Sequence, residues 1–150
     1  MKNIFNHAVT TEVINRIDKL SASSQPLWGN MSVDKMLAHC NVSYEMAFEN
    51  THPKPNGFMR FILKALVKNT VVNDKPYKNN SQTGPAFIIK DDKNFLIEKN
   101  RLIDYILKTQ QLGESYFDQK ESLSFGKLSK KEWNNMFFKH IDHHLNQFGV

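Results

Sequence analysis

The stretch SKKEWNNMFFKHIDHHLNQFGV, residues 129–150, decides the fold of this chain. It opens with Ser129 followed three positions later by Glu132, the S-x-x-E capping box that is typical of a helix N-terminus. Apolar side chains, among them Trp133, Phe137 and Phe148, then recur at helical spacing. The pattern predicts a long helix that begins at Ser129, continues to the C-terminus and buries one face.

The histidines of this helix do not form one cluster. At about 100° per residue from Trp133, His140 falls at roughly −20° and His144 at roughly +20°, in the middle of the predicted buried face. On the same count His143 falls at roughly −80°, on the edge of that face, and Asp142 at about 180°, facing away. The sequence therefore predicts two inward-facing histidines one helical turn apart.

Two such histidines suit a shared cation. Their Cβ atoms lie about 5–6 Å apart, and imidazole nitrogens bind zinc at about 2.0–2.1 Å. A lone histidine on an apolar face is more often a hydrogen-bonded core residue. Two neighbouring ones each need a polar partner in apolar surroundings, and one cation supplies both. Because two ligands seldom hold a metal well, the pattern calls for a third.

The segment LAHCN, residues 37–41, offers the third ligand. Counted from Met36 in the second predicted helix, His39 falls at roughly −60°, at the margin of the apolar face, and Cys40 at roughly +40°, within it. Periodicity allows His39 as a ligand without requiring it. Cys40 is the competitor, although a lone cysteine on an apolar face is more often a small hydrophobic residue. The remaining histidines, His7 and His52, are expected at the surface.

Helical periodicity also dominates the first half of the chain. We expect a first helix that ends near Leu20 and a second that is capped by Ser32 and continues to about Asn50. The segment THPKPNG, residues 51–57, then stops the second helix with two prolines and a glycine. Residues 58–71 follow as a shorter amphipathic helix.

The second half is expected to hold one more long helix before the last one. Asp91 or Asp92 caps it, and Gly113 follows it as a C′ residue. Residues 72–90 and 114–128 are interpreted as connections, and no strand is predicted. Four long helices with one short one predict an all-α fold, simplest as a four-helix bundle with a long crossover loop.

The short helix carries a basic stripe at Arg60, Lys64 and Lys68. One interpretation is attachment to an anionic membrane surface. We favour the other, a helix that lies against the bundle with its lysines in water, because this is the usual amphipathic pattern.

Composition points to one soluble domain over residues 1–150. Hydrophobic residues make up 40% and charged residues 23%, and the single cysteine excludes a disulfide framework. The N-terminus lacks a signal-peptide pattern, and the apolar stretch 58–72 is too short and too basic for stable membrane insertion. The net charge of +5 comes from lysines spread among acids, so no nucleic-acid partner is expected. A cytoplasmic protein is expected.

The segments WGNMSVDKMLAHC (28–40) and HIDHHLNQFG (140–149) together resemble the DinB/YfiT-like superfamily. More closely, they are similar to a branch of it known only as a domain of unknown function. The likeness covers essentially the whole chain, including the SFGKLSKKEW lead-in (124–133) to the last helix. The two motifs are moderately specific together, whereas the H-x-x-x-H spacing alone is a weak signal.

The resemblance implies a four-helix bundle with up-down-down-up topology and a divalent metal held by three histidines. One ligand comes from the second helix, in the position that His39 occupies here. The other two come from the last helix, at His140 and His144. The resemblance thus raises His39 from allowed to expected and passes over His143. Some relatives are metal-dependent transferases or isomerases that use small thiols, whereas this branch has no assigned activity.

Three imidazoles leave a coordination position open, as in catalytic sites. They suit Zn²⁺, Ni²⁺, Fe²⁺ or Cu²⁺, and we expect Zn²⁺ or Ni²⁺ first. Such an ion can activate a water or a thiolate, with a small thiol as candidate co-substrate. No general base is predicted, since Asp142 faces away. The candidate neighbours of the site are Ser43, Tyr44 and Gln147.

Three hypotheses follow. The first is a metal-dependent enzyme of the thiol-transferase or hydrolase type that acts on a small molecule. The second is a metal-binding or sensing module without catalysis, which predicts a closed site or a fourth protein ligand such as Cys40. The third is a metal-free helical bundle that acts in protein–protein contact. A homodimer is the candidate assembly.

Overall fold

A computed structural model describes residues 1–150 and shows a mostly helical chain, as the periodicity predicted. A π-helical stretch, Leu63–Val67, joins the third helix to the fourth, and a single 3₁₀ turn, Pro85–Phe87, lies in the long connection that follows. The six α-helices in chain order are α1 His7–Asp18, α2 Val33–Phe48, α3 Gly57–Ile62, α4 Lys68–Val72, α5 Phe95–Phe117 and α6 Lys130–Gln147.

The last helix, α6, begins as its sequence predicted. The Ser129 side chain accepts from the Glu132 backbone N–H, and the Glu132 carboxylate accepts from the Ser129 N–H at 2.9 Å. The prediction that α6 buries only one face was too narrow, because Ile141 and Leu145 on other sides of the helix are buried as well. The helix contacts α1, α2, α4 and α5. It therefore runs through the interior, with histidines and apolar side chains turned toward different neighbours.

The four longest helices share one apolar core. Tyr44 of α2 stacks on Phe137 of α6 with ring centroids 4.7 Å apart, and Phe117 of α5 contacts Phe137 edge-on at 5.5 Å. The fully buried core side chains include Val13, Ile17, Met36, Leu37, Leu102, Ile106, Trp133 and Ile141. Burial of this apolar surface is the main stabilising contribution to folding, and it fixes α2 against α6 where the histidines meet.

The predicted start of α5 was wrong, and Gly113 marks a break in the helix rather than its end. Asn94, rather than Asp91 or Asp92, is the N-cap, and its side chain accepts from the Ile97 N–H at 3.1 Å. Gly113 does leave the helical conformation, with φ 73°, but the helix resumes and continues to Phe117. The buried ring of Phe117 packs against Phe5 and α6, so tertiary packing extends the helix beyond its glycine.

The segment predicted as a loop at 114–128 also holds two strands. The antiparallel strands β1 Lys120–Ser122 and β2 Gly126–Leu128 pair with Ser122 opposite Gly126. The expectation of no strand was therefore wrong. Strands of three residues are too short for apolar alternation to stand out in a sequence, and the turn is closed locally, since Phe125 N–H donates to Ser122 Oγ at 2.9 Å.

Residues 57–72, which we call the exposed helix, form one nearly continuous helix where 58–71 was predicted. The favoured interpretation, a helix lying against the bundle, is correct for part of its apolar surface, since Leu63 and Val71 pack against the core. It is wrong for the rest. Phe58, Phe61 and Leu66 are 75%, 69% and 74% exposed. Near its end, only Val72 is buried. No helix of the chain has the length and apolar character needed to span a bilayer.

The connection between α4 and α5 is anchored by α6. The buried ammonium of Lys139 donates to the carbonyls of Thr70 and Asn73, each at 2.8 Å, and so satisfies the C-terminal end of α4. Burial lowers the pKa of Lys139 to about 8. Because of this contact, the connection begins next to the face of α6 that carries the histidines.

Candidate metal centre

The structure brings together His39 from α2 with His140 and His144 from α6. The Nε2 atoms of His39 and His140 are 2.8 Å apart, and one ring nitrogen from each of the three residues lies within 4.8 Å of the others. The ring centroids of His39 and His144 are 4.6 Å apart, and those of His140 and His144 are 5.0 Å apart. The two histidines predicted to face inward therefore meet the one that periodicity only allowed.

The outward nitrogen of His39 is held by the main chain. Its Nδ1 lies 2.8 Å from the carbonyl oxygen of Phe87. Because a carbonyl can only accept, Nδ1 must carry the proton, which leaves the lone pair of a neutral ring on Nε2. The contact thus sets both the tautomer of His39 and the direction of its free nitrogen.

Side chains hold the outward nitrogens of the other two rings. Nδ1 of His140 lies 2.8 Å from Ser43 Oγ, and Nδ1 of His144 lies 2.8 Å from Gln147 Oε1. The orientation of the Gln147 amide is fixed, because its Nε2 donates to the Trp28 carbonyl at 2.8 Å. All three rings therefore have an outer partner on Nδ1. Metal-binding histidines have the same arrangement, in which the outer hydrogen bond fixes the ring.

Gly29 is required beside this amide. Its φ is +77°, and a Cβ added there would lie 2.9 Å from Gln147 Nε2. A side chain at position 29 would therefore be strained in its backbone and would push against the group that orients His144.

Burial keeps the three imidazoles neutral. His39 is 5% exposed and His144 is 7% exposed, while His140 is half-buried as a residue. Desolvation lowers the pKa of His144 to about 3 and holds the pKa of His140 well below its usual value. It also lowers the pKa of His39, against the opposing effect of the hydrogen bond that His39 donates to the Phe87 carbonyl. Neutral imidazole is the form that binds metal.

The donor set fits a divalent cation. Two nitrogens bound to one tetrahedral ion at about 2.0–2.1 Å lie about 3.4 Å apart. The separations here, from 2.8 Å up to 4.8 Å, lie on both sides of that value, so small ring movements would match it. The three nitrogens approach one another with their outer partners already in place, and the residues present therefore suit such an ion.

Cys40 and Tyr44 lie in the core, away from the three histidines. The thiol of Cys40 donates to Met36 Sδ at 3.8 Å, and its burial raises its pKa. Cys40 therefore does not supply a fourth ligand in this arrangement. Tyr44 stacks between Phe137 and Tyr105, which accounts for its position by packing.

The remaining polar side chains of the two motifs have other partners. His143 stays outside the group of three, with its half-buried ring edge-on to Trp28 and Tyr77 at 5.9 and 5.7 Å. Asp142 points away from the histidines, as predicted, but toward α1, where it pairs with Arg16 at 2.7 Å.

Neither of the histidines predicted at the surface joins the site. His7 is exposed, as expected. His52 is half-buried, because its Nε2 lies 2.7 Å from the Glu45 carboxylate. The surface prediction was therefore correct for His7 and wrong for His52.

Sequence reasoning missed two groups that shape the site. Both are main-chain carbonyls, at Phe87 in the long connection and at Trp28 before α2. A carbonyl is present at every residue and leaves no signature in a sequence. The only signal available was the Trp-Gly pair at 28–29, where glycine allows the close approach of Gln147.

Comparison with known proteins gives a family and no activity. No curated protein and no solved structure matches the chain. Residues 4–149 match a family described as "Protein of unknown function (DUF1569)". Because that match covers nearly the whole chain, the protein belongs to this family of unknown function.

Proposed function

We propose that the protein binds a divalent metal ion through His39, His140 and His144 and is a metal-dependent enzyme of the thiol-transferase or hydrolase type. The observation that carries the proposal is that the two nitrogens of each imidazole have different roles. Every Nδ1 has an outer partner, and one ring nitrogen from each of the three residues lies within 4.8 Å of the others. Zn²⁺ and Ni²⁺ are the preferred ions, with Fe²⁺ and Cu²⁺ as alternatives.

The chain's own residues orient the site. Ser43, Gln147 and the Phe87 carbonyl hold the rings so that little reorganisation accompanies binding. A divalent ion held by these three imidazoles would supply Lewis acidity toward a water or a small thiol. This electrophilic role is shared by hydrolases and thiol transferases, and it makes a thiol the candidate co-substrate.

The walls of the site suit a small, partly apolar substrate. The ring of Phe87 lies 5.4 Å from that of His39 and 5.7 Å from that of His140. Trp28 and Tyr77 flank His143 beside them. Aromatic walls exclude water and contact apolar groups, while the cation would engage the polar end of the ligand.

A second candidate, a metal-binding or sensing module without catalysis, is favoured by the burial of His39 and His144. A closed site holds its ion well and gives a substrate little access. The two candidates share the ligand set and differ in whether the loaded protein turns over a substrate.

Metal content of the untagged protein tests the ligand set. After reconstitution with Zn²⁺ or Ni²⁺ and removal of excess ion, elemental analysis should give one ion per wild-type chain and far less for His140→Ala and His144→Ala. His143→Ala is the matched control and should retain the ion. A wild-type protein without stoichiometric metal would contradict the proposal, and full occupancy in both variants would contradict the ligands.

Turnover then separates the two candidates. The loaded protein is assayed with small thiols and electrophilic substrates, and with activated esters, beside His144→Ala. Turnover that disappears in the variant supports the enzyme. Bound metal without turnover in either panel supports the binding module.

We also infer that α1, α2, α5 and α6 adopt the DinB-like up-down-down-up bundle. The support is the shared core of these four helices and the long connection between α2 and α5. A crystal structure superposed on a DinB-like bundle in the same helix order would test the inference, and a different order would contradict it.

A further inference from the structure

The exposed helix, residues 57–72, presents an apolar surface that nothing in the fold covers. No residue of α3 or of the π-helical stretch is buried. Phe58, Phe61 and Leu66 are largely exposed, and Met59 is also exposed. Scattered apolar residues on a surface need no explanation, but several bulky ones along one helix mark an interaction site.

Cations border this apolar surface. Arg60 and Lys64 face β2 across a cleft of about 580 Å³, whose lining also includes Lys127 and Glu121. A Cβ built at Gly126 would lie 3.7 Å from both Arg60 and Lys64, so these cations lie close to the hairpin. Arg60 pairs with Glu121, while no carboxylate pairs with Lys64 or Lys127.

The cleft therefore has a net positive charge and lies beside the exposed helix. Its charged residues are three cations, Arg60, Lys64 and Lys127, against one carboxylate, Glu121. The cleft thus has donor capacity that the protein itself leaves unused, which suits an anionic group such as a phosphate diester.

We propose that the exposed helix is a docking element for an anionic phospholipid bilayer. Phe58, Phe61 and Leu66 enter the boundary between headgroups and acyl chains, and the cleft cations contact lipid phosphates. Helices that lie in a membrane interface combine an apolar face with basic flanks in this way. Binding would be peripheral and reversible, which agrees with the absence of a helix able to span a bilayer.

Charge favours a bilayer over a second copy of the chain. A twofold interface sets the same patch of two subunits against itself. Pairing through the exposed helix would bring Arg60, Lys64 and Lys127 of one chain near the same cations of the other, which is unfavourable. An anionic surface complements these cations as well as the overall net charge of +5.

Co-sedimentation with vesicles tests the proposal with the full-length protein. Wild type should bind phosphatidylcholine vesicles that contain phosphatidylglycerol, should bind pure phosphatidylcholine weakly, and should be released by salt. Phe58→Ser/Phe61→Ser should lower the partition coefficient at least about tenfold through lost apolar burial. Lys64→Gln/Lys127→Gln should lower it about fivefold per lysine for anionic vesicles.

Matched controls separate the site from general surface effects. Leu96→Ser/Ile97→Ser removes two exposed apolar side chains from α5, and Lys75→Gln removes an exposed lysine of the connection. Both should bind as wild type. Because the substituted residues lie at the surface, all variants should melt within a few degrees of wild type.

Three results would overturn the proposal. Wild type could fail to bind anionic vesicles, or Phe58→Ser/Phe61→Ser could bind as well as wild type. Alternatively, sedimentation velocity could show a dimer that this variant converts to monomer, without vesicle binding in either form. The last result would assign the surface to self-association.

Discussion

At the scale of single residues, the orientation of each histidine depends on a neighbour that would not touch the metal. Gln147 is one such neighbour. It accepts a hydrogen bond from His144, and it is itself held in place because it donates to the Trp28 carbonyl. Replacement of an outer partner of this kind typically lowers metal affinity because the ring loses its fixed direction. The orientation of the metal-binding rings therefore depends on polar residues that are not ligands themselves.

Gln147→Leu should lower the affinity for Zn²⁺ by about 10- to 100-fold. Competition with a chromophoric chelator measures the change. Gln111→Leu makes the same chemical replacement at an exposed position of α5 and should leave the affinity unaltered. Equal affinities for wild type and Gln147→Leu would show that His144 needs no outer partner.

Gly29→Ala should both destabilise the fold and weaken metal binding. Its left-handed backbone conformation costs about 1–2 kcal/mol for a residue with a side chain, and the added methyl meets the Gln147 amide. Gly57→Ala is the control, since a Cβ there has nothing within 4 Å. Thermal melts and chelator competition on both variants measure the two effects. An unchanged melting temperature in Gly29→Ala would contradict the prediction.

At the scale of elements, α6 begins at a reciprocal cap, whereas the N-cap of α2 lacks a side-chain hydrogen bond to the backbone. Ser129→Ala should therefore lower the free energy of unfolding by about 1 kcal/mol, and Ser32→Ala should cost less. Urea denaturation of both variants gives the comparison. A larger loss from Ser32→Ala would mean that the cap geometry does not govern the stability of α6.

The same elements show which features of the structure could be predicted from the sequence. The cap of α6 and the inward direction of His140 and His144 were predictable, because both follow from spacing along one helix. His39 stayed open, since a residue at the margin of a helix face can turn toward either neighbour, and the choice depends on where α6 lies. The strand pair at 120–128 was missed because three-residue strands have too little alternation to detect.

The tertiary arrangement of elements distant in sequence explains the other differences between the predictions and the structure. The exposed helix has an ordinary amphipathic pattern, and its sequence does not reveal that the rest of the chain leaves Phe58, Phe61 and Leu66 uncovered. His52 was assigned to the surface because it lies in a Pro-rich turn, but Glu45 one element earlier draws it inward. In both cases the partner, or its absence, is fixed by tertiary packing.

At the scale of the whole molecule, the neutral histidines make stability depend on pH. In chelator, His144 has a pKa of about 3 when folded, against about 6.5 when unfolded. Between these values the unfolded state binds more protons, so stability is complete above about pH 6.5 and falls as the pH decreases. The expected slope is up to about 1.4 kcal/mol per pH unit for this residue alone.

Urea midpoints measured at pH 7 and pH 5 test this dependence. The midpoint should be lower at pH 5 for the wild type, and the difference should shrink in His144→Gln, which cannot take up the proton. A midpoint that is independent of pH over this interval would show that His144 is not held neutral by burial.

The contact between His39 Nδ1 and the Phe87 carbonyl has a consequence for dynamics. One ligand of the candidate centre takes its direction from a long connection, so the order of that connection and the affinity of the site are thermodynamically linked. By reciprocity, an ion that favours the oriented ring must restrain residues 73–94 by the same coupling free energy. Limited proteolysis and hydrogen exchange in this connection would then report occupancy of a site formed by two helices.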